Sequence, residues 1–193
     1  DRKYFYNQLS IVSRAISSFS PLPALSGICI NVQDDHIVLT GSDSNISIRS
    51  HIYKGEENQL QIASTGSIVL ESRYLLEIIH KIESTIVELE VMDFELVRIT
   101  STNGKFNLNG MEASQYPNID FDQPSNMIEL SKDTLSQIVS QTAFACSEND
   151  QRPVLSGVNF AAKDGYLYCS GTDSYRLARK TITLNENANF NIT

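Results

Sequence analysis

The sequence predicts an α+β fold of tandem duplicated domains, each built of antiparallel sheets with two helices packed on one face. Three observations predict it. One stretch occurs twice at a shift of 130 positions, LSGICINVQDDHIVLTGSDSNISIRSHI from Leu25 to Ile52 and LSGVNFAAKDGYLYCSGTDSYRLARKTI from Leu155 to Ile182. Alternating apolar segments are joined by hairpin-length turns, which favours antiparallel pairing over βαβ crossovers. The helical stretches carry an apolar stripe on one side only, and such a helix buries that stripe against a sheet.

Leu-Ser-Gly opens both copies, and Asp34, Gly41, Asp43, Ser44, Arg49 and Ile52 fall on Asp164, Gly171, Asp173, Ser174, Arg179 and Ile182. Upstream, the same shift lays Phe5, Gln8, Leu9 and Val12 on Leu135, Ile138, Val139 and Thr142, and Pro23 on Pro153. Solenoid repeats run about 20–50 residues, so this period is that of a whole domain. The expected division is a first domain over 1–116, a linker over 117–126 that overlaps the proline-bearing stretch Gln115–Ser125, and a second, incomplete domain over 127–193.

In chain order, Asp1 is a helix N-cap, and Phe5, Leu9, Val12, Ile16 and Phe19 form one helical face. Lys3, Asn7, Ser10 and Arg14 form the opposite stripe, which reads either as a solvated face or as a basic surface that meets phosphates. Ile28, Ile30 and Val32 share one side of a strand that turns at Asp34-Asp35 into His36–Thr40. Gly41-Ser42-Asp43-Ser44 reads as a turn in which Gly permits positive φ, before a strand that begins with Ile46, Ile48 and Ser50. After a short strand at Ser67–Leu70, Ser72 caps a second helix that points Leu75, Ile78, Ile79 and Ile82 inward and Arg73, Glu77 and His80 outward. Three strands follow, Ile86–Met92, Leu96–Thr100 and Lys105–Asn109, the last two joined by the hairpin signal Asn103-Gly104. Ile128–Leu130 is expected as a strand, and Ser131 caps a third helix with Leu135, Ile138, Val139, Thr142 and Cys146 inward.

A net charge of −8 argues against a surface that is basic all round, while leaving room for a local basic face. Cys29, Cys146 and Cys169 are odd in number and widely spaced, the usage of free thiols in a reducing, cytoplasmic setting. No apolar run reads as a membrane span.

Against that background the residues carry a family resemblance. Leu22-Pro23-Ala24-Leu25-Ser26-Gly27, Leu39-Thr40-Gly41-Ser42-Asp43, Tyr116-Pro117-Asn118-Ile119, Arg152 through Gly157, and Thr172-Asp173-Ser174-Tyr175-Arg176-Leu177 together resemble the bacterial sliding clamps, the beta subunits of DNA polymerase III. The resemblance implies a DNA-clamp fold with three such domains per subunit, two subunits closing head to tail around duplex DNA. It implies a cytoplasmic, nucleoid-associated processivity factor that performs no bond chemistry and needs no cofactor.

Three site assignments come with the resemblance. Lys3, Arg14 and Arg73 would face DNA, with Arg2, Lys81 and Lys132 as lesser candidates. Arg152, Leu155, Thr172, Ser174, Tyr175, Arg176 and Leu177 would form part of a groove for short peptides of the replicative polymerase, the clamp loader and repair proteins. Phe106 and Leu108, in the strand KFNLN, would stand at the interface of a homodimer. Two departures thin the expected DNA contact: Ser17–Pro21 holds no basic residue, and Asp133 and Phe144 stand where the first copy has Lys3 and Arg14. Ser174-Tyr175 also replaces the family's frequent Gly-His, which alters the groove's edge.

An enzyme is the main rival class, and the chain offers no constellation for one. His36, His51 and His80 are isolated, the cysteines lack CxxC spacing, and no GxSxG, P-loop or GxGxxG occurs, so no catalytic or metal residue is expected. Turn chemistry accounts for Asp34-Asp35 and Asp43. The other alternative is a cytoplasmic scaffold of tandem domains with no nucleic-acid partner.

Overall fold

The structure, a computed structural model, describes residues 1–17, 20, 22–122, 128–148, 152–185 and 188–193, without the side chain of Phe94. Phe19 and residues 123–126 of the expected linker lie outside the described residues. The chain forms two compact units, Asp1–Asp120 and Phe121–Thr193.

The first unit opens with α1 (Arg2–Val12), whose N-cap Asp1 accepts a hydrogen bond from the Tyr4 N–H at 2.8 Å. The helix is shorter than the apolar stripe predicts, tightening into a 3-10 turn at Ser13–Ala15 and becoming extended at Ile16. Then come β1 (Gly27–Val32), β2 (His36–Ser42), β3 (Ser47–Tyr53), β4 (Gly66–Glu71), α2 (Ser72–Lys81), β5 (Glu88–Val91), β6 (Leu96–Ser101) and β7 (Gly104–Glu112). They lie in the order β3-β2-β1-β4-β7-β6-β5, with every neighbouring pair antiparallel.

β7 joins two halves of this sheet. Its Gly110–Glu112 end pairs with Ile68–Leu70 of β4, and its Gly104–Asn109 end pairs with β6. Both helices pack on one face, where Leu9 and Val12 of α1 and Leu75 and Ile79 of α2 share a core with Ile28, Ile30, Leu39, Leu70 and Ile99. Burying each such side chain stabilises by about 1.5–3 kcal/mol.

Several local expectations are corrected. Ser72 is the first helical residue and not the cap; the N-cap is Glu71, which makes no side-chain cap bond, and Ser72 is buried. Gly41 lies inside β2 and is not among the residues of positive φ; the turn is Asp43–Ile46, with Ser44 at φ 79°. Ile46 precedes β3 and is exposed. Ser101 pairs with Gly104, so the two loop residues are Thr102 and Asn103, and the Gly opens β7.

The second unit contains α3 (Lys132–Thr142), capped by Ser131, whose Oγ accepts from the Thr134 N–H at 3.1 Å. It is followed by β8 (Asn159–Lys163), β9 (Tyr166–Thr172), β10 (Leu177–Thr183) and β11 (Phe190–Ile192), in the order β10-β9-β8-β11. That is the order β3-β2-β1-β4 of the first unit, so the sequence repeat is a structural repeat. Asp164 and Gly165 both take positive φ, 52° and 79°, in the two-residue hairpin between Lys163 and Tyr166.

Ile138, Ala162, Leu167 and Cys169 form its core, with Ile128 and Leu130 packed against it. Ile128–Leu130 forms no strand. Leu135 and Val139, expected inward, are 45% and 48% exposed. The first unit supplies the reason. Their counterparts Phe5 and Leu9 face a core to which α2 contributes, and no second helix is present among the described residues of the second unit.

Candidate functional sites

The first candidate surface is the exposed side of α1 and α2, which pack against each other. Lys3, Arg14 and Arg73 are all exposed, and among the described residues none of them forms an ion pair. Arg14 sits in the 3-10 turn after α1 and not in the helix proper. The Arg73 guanidinium lies 6.0 Å from the Tyr74 ring centroid, a contact that guides the side chain without neutralising it. Lys81 donates to Glu77 at 2.7 Å, and that hydrogen bond holds the Glu77 carboxyl below its usual range. Lys81 is therefore a less available cation than Arg73. Arg2 is half-buried, with its Nε lacking a hydrogen-bond partner, and Lys132 is exposed at the start of α3 in the other unit.

The seam between the helices carries a contact that the sequence reading missed: the Tyr6 and His80 rings meet at 5.1 Å, tilted by 44°. Periodicity had placed His80 outward, but it carried no signal for Tyr6 as its neighbour.

The second candidate is the β9–β10 turn. Thr172 Oγ donates to the Arg176 carbonyl at 2.7 Å and accepts from the Ser174 N–H at 3.1 Å. Asp173 Oδ1 accepts from the Tyr175 and Arg176 N–H groups at 3.0 and 2.9 Å, and its other oxygen pairs with Arg176 Nε at 2.9 Å. The Arg176 N–H and then the Tyr175 N–H hold this carboxyl below its ordinary value. The twin turn in the first unit has the same design: Asp43 accepts from Asn45 and Ile46, Ser42 Oγ accepts from the Ser44 N–H, and Ser44 and Ser174 take φ 79° and 78°.

The polar groups expected to reach a peptide are thus partly engaged in shaping the turn. What the turn offers outward is Tyr175, 98% exposed, and Leu177, 68% exposed. Arg152 is exposed and Leu155 half-buried at the 3-10 turn Pro153–Leu155, where the Leu155 carbonyl accepts from the Ser147 N–H at 2.8 Å. Val154, which the sequence reading did not single out, is exposed there as well. A hollow in this unit, about 310 Å³, is lined by Ile128, Leu130, Thr134, Ile182 and Leu184 and not by the predicted groove residues.

The third candidate is the Gly104–Asn109 half of β7. It pairs with β6 on one side, while β4 reaches only Gly110–Glu112 on the other. Phe106 is 41% exposed, but Leu108 packs partly against the core, so one of the two predicted residues faces outward more than the other. Phe106 joins Tyr74, Glu77, Ile78 and Lys81 of α2 around an apolar hollow of about 190 Å³. Tyr74 and Ile78 were not predicted for this surface. Their i, i+4 spacing puts them on one side of α2, but only the fold brings Phe106 beside them.

Residues 1–120 match the family described as DNA polymerase III beta subunit, N-terminal domain, and residues 129–193 match its central domain. The chain belongs to the DNA polymerase III beta subunit family. It is 42% identical over 195 residues to the beta sliding clamp of Staphylococcus epidermidis, covering 99% of this chain and 52% of that one. With the beta sliding clamp of Bacillus subtilis it shares 40% identity over 185 residues, covering 94% and 49%. The crystal structure of the DNA polymerase III beta chain from Streptococcus pneumoniae superposes with a TM-score of 0.94 at 32% identity, over 100% of this chain and 52% of that chain. The sliding clamp of B. subtilis gives a TM-score of 0.92 at 37% identity, over 99% and 51%.

This beta-subunit chain spans about half the length of the curated relatives it matches. Its N-terminal family match ends at residue 120, where the first structural unit ends. No helix among the described residues is long and apolar enough to cross a membrane. Among the described residues no group of three or more His, Cys, Asp or Glu is placed to hold a metal ion.

Proposed function

We propose that the polypeptide carrying this chain is the processivity factor of a bacterial replicative DNA polymerase. It is a non-catalytic sliding clamp that encircles duplex DNA without reading sequence and tethers other proteins to it. The observation that carries this reading is the repeated strand order of the two units, joined to a first unit whose two helices lie on one sheet face with unpaired cations outward. A surface of that kind meets phosphates and leaves base edges unread. Lys3, Arg14 and Arg73 are the proposed DNA-facing residues. The cations are few, so each contact is weak and the duplex stays free to slide.

The proposed peptide surface is Arg152, Leu155, Thr172, Ser174, Tyr175, Arg176 and Leu177, with Tyr175 and Leu177 as the apolar anchors. Its partners are short motifs of the replicative polymerase, the clamp loader and repair proteins. The one-sided half of β7, with Phe106 and Leu108, is the proposed homodimer edge, since an unpaired strand edge beside an apolar hollow invites a second strand. The domains are proposed as 1–116 and 127–193 about a linker at 117–126, and the setting as the cytoplasm, in association with the nucleoid.

The salt and sequence dependence of duplex binding tests the reading of the helix face. Duplexes of unrelated sequence are expected to bind within about a factor of two of one another, with affinity falling as salt rises. Arg73→Ala is expected to reduce the logarithmic salt slope by about one. Strong preference for one sequence, or a slope unchanged by Arg73→Ala together with Lys3→Ala, contradicts it.

A further inference from the structure

His80 is exposed in the last turn of α2, with its ring against Tyr6 of α1. It lies two turns along α2 from Arg73, on the side that the helix turns away from its core residues Leu75 and Ile79. The charged residues on the two helices and the strands beneath them are of both signs. From α1 and its cap come Asp1, Arg2 and Lys3; from α2 itself come Arg73, Glu77 and Lys81, and Glu83 follows. Glu77, the carboxylate one turn before His80, is already paired with Lys81. The strands under the buried side of α2 carry Glu71 on β4 and Lys105 and Glu112 on β7.

Among the described residues His80 forms no ion pair with a carboxylate. A phosphate arriving on the helix face favours the charged imidazole, as any close opposite charge does. It adds the anion that the imidazolium needs, while Tyr6 keeps the ring at the seam.

From this geometry we infer that His80 is a proton-coupled phosphate contact, so that duplex binding draws a proton onto it and strengthens as pH falls. The inference rests on the reading of α1 and α2 as the duplex-facing helices. Histidine is the side chain whose charge changes between about pH 5 and 8. The coupling therefore acts in the range where a cell's pH lies. Binding and protonation are linked, so the same coupling appears in both.

The chain holds three histidines, which supplies internal controls. His36 and His51 stack with each other and with Tyr53 on β2 and β3. By strand alternation they lie on the face opposite Ile37, Leu39 and Ile52, which pack into the helix-covered core.

The test is the NMR pH titration of the three imidazole resonances, with and without a short duplex at low ionic strength, a method that reads weak binding. The duplex is expected to raise the His80 midpoint while those of His36 and His51 stay in place. Duplex affinity is expected to rise about three- to tenfold from pH 7.5 to 6. His80→Gln should lose most of that rise, and His80→Lys should bind at pH 7.5 as the protonated protein does. Duplex-induced shifts in the Lys3 and Arg73 amides with an unmoved His80 midpoint overturn the inference and leave the helix-face reading standing. No shift in any of them overturns both. Equal midpoint shifts for all three histidines overturn the inference as a general salt effect.

Discussion

Gly41 lies so close to α1 that a Cβ added to it would sit 2.6 Å from the carbonyl oxygen of Val12. Gly171 has the same relation to the second unit, where a Cβ would collide with the Thr142 carbonyl and lie 2.9 Å from Cys146 Sγ. Strand and helix meet backbone to backbone at this point in both copies. Gly41→Ala is expected to destabilise the first unit by about 1–3 kcal/mol, the cost of overpacking a filled site. Urea unfolding measures it, and a midpoint unchanged from wild type would refute the close approach.

The unequal cover of equivalent helix positions gives a second prediction. Leu9 is 0% exposed and Val139, its counterpart 130 residues on, is 48% exposed. Leu9→Ala should cost about 2–5 kcal/mol. Val139→Ala should cost less than about 1 kcal/mol in this chain. Hydrogen exchange of α1 and α3 amides resolves the two units separately, and similar losses of protection in both variants would contradict the contrast.

Tyr116 gives a third. Its hydroxyl donates to the Thr40 carbonyl at 3.3 Å, and burial, with Cys29 close by, pushes the phenol up to about 12 from 10.0, the Ser42 backbone offsetting part of this. The folded state holds its proton more tightly than the unfolded chain. That stabilisation is complete below pH 10 and is lost as pH rises from 10 towards 12. After discounting for the solvent on its open side it amounts to about 1 kcal/mol. Wild type should lose that much more stability than Tyr116→Phe across this interval. Parallel alkaline unfolding curves would remove Tyr116 as the cause.

The twin turns give a fourth. The backbone N–H groups of Ile46 and Asn45 depress Asp43, as those of Arg176 and Tyr175 depress Asp173. A depressed carboxyl stabilises above its unfolded pKa, near 3.9, and that contribution fades as pH falls through the lower folded value. Asp173→Asn should therefore melt below wild type at pH 7, and the gap should close below about pH 4. Tyr175→Ala and Leu177→Ala, both on exposed residues, should leave melting unchanged while weakening peptide capture. A constant gap for Asp173→Asn at all pH would rule out the carboxylate as its source.

The repeat was legible because identities at a fixed shift need no knowledge of packing, and its three strands take the same order in both units, β3-β2-β1 and β10-β9-β8. Helix faces were legible where both sides of the helix had their partners: Leu75, Ile79 and Ile82 are buried as their spacing requires. Leu135 and Val139 have the same spacing and are exposed, since periodicity says which side is apolar and not whether anything covers it. Gly41 was assigned to a turn because composition records the residue and not the neighbour 2.6 Å from its absent Cβ. For the sites, the cations of α1 and α2 followed from helical spacing. The Tyr6–His80 contact and the approach of Phe106 to Tyr74 and Ile78 join residues far apart in sequence, and no local pattern encodes them.

Topological retention on DNA tests the central claim most directly. The polypeptide translated from the complete reading frame that contains this chain is loaded onto nicked circular DNA, freed of unbound protein, and followed before and after the circle is cut once. The account predicts that it stays on the circle in high salt and departs within minutes of linearisation. Retention that is the same on circular and linear DNA, or loss from both at the same rate, would contradict it.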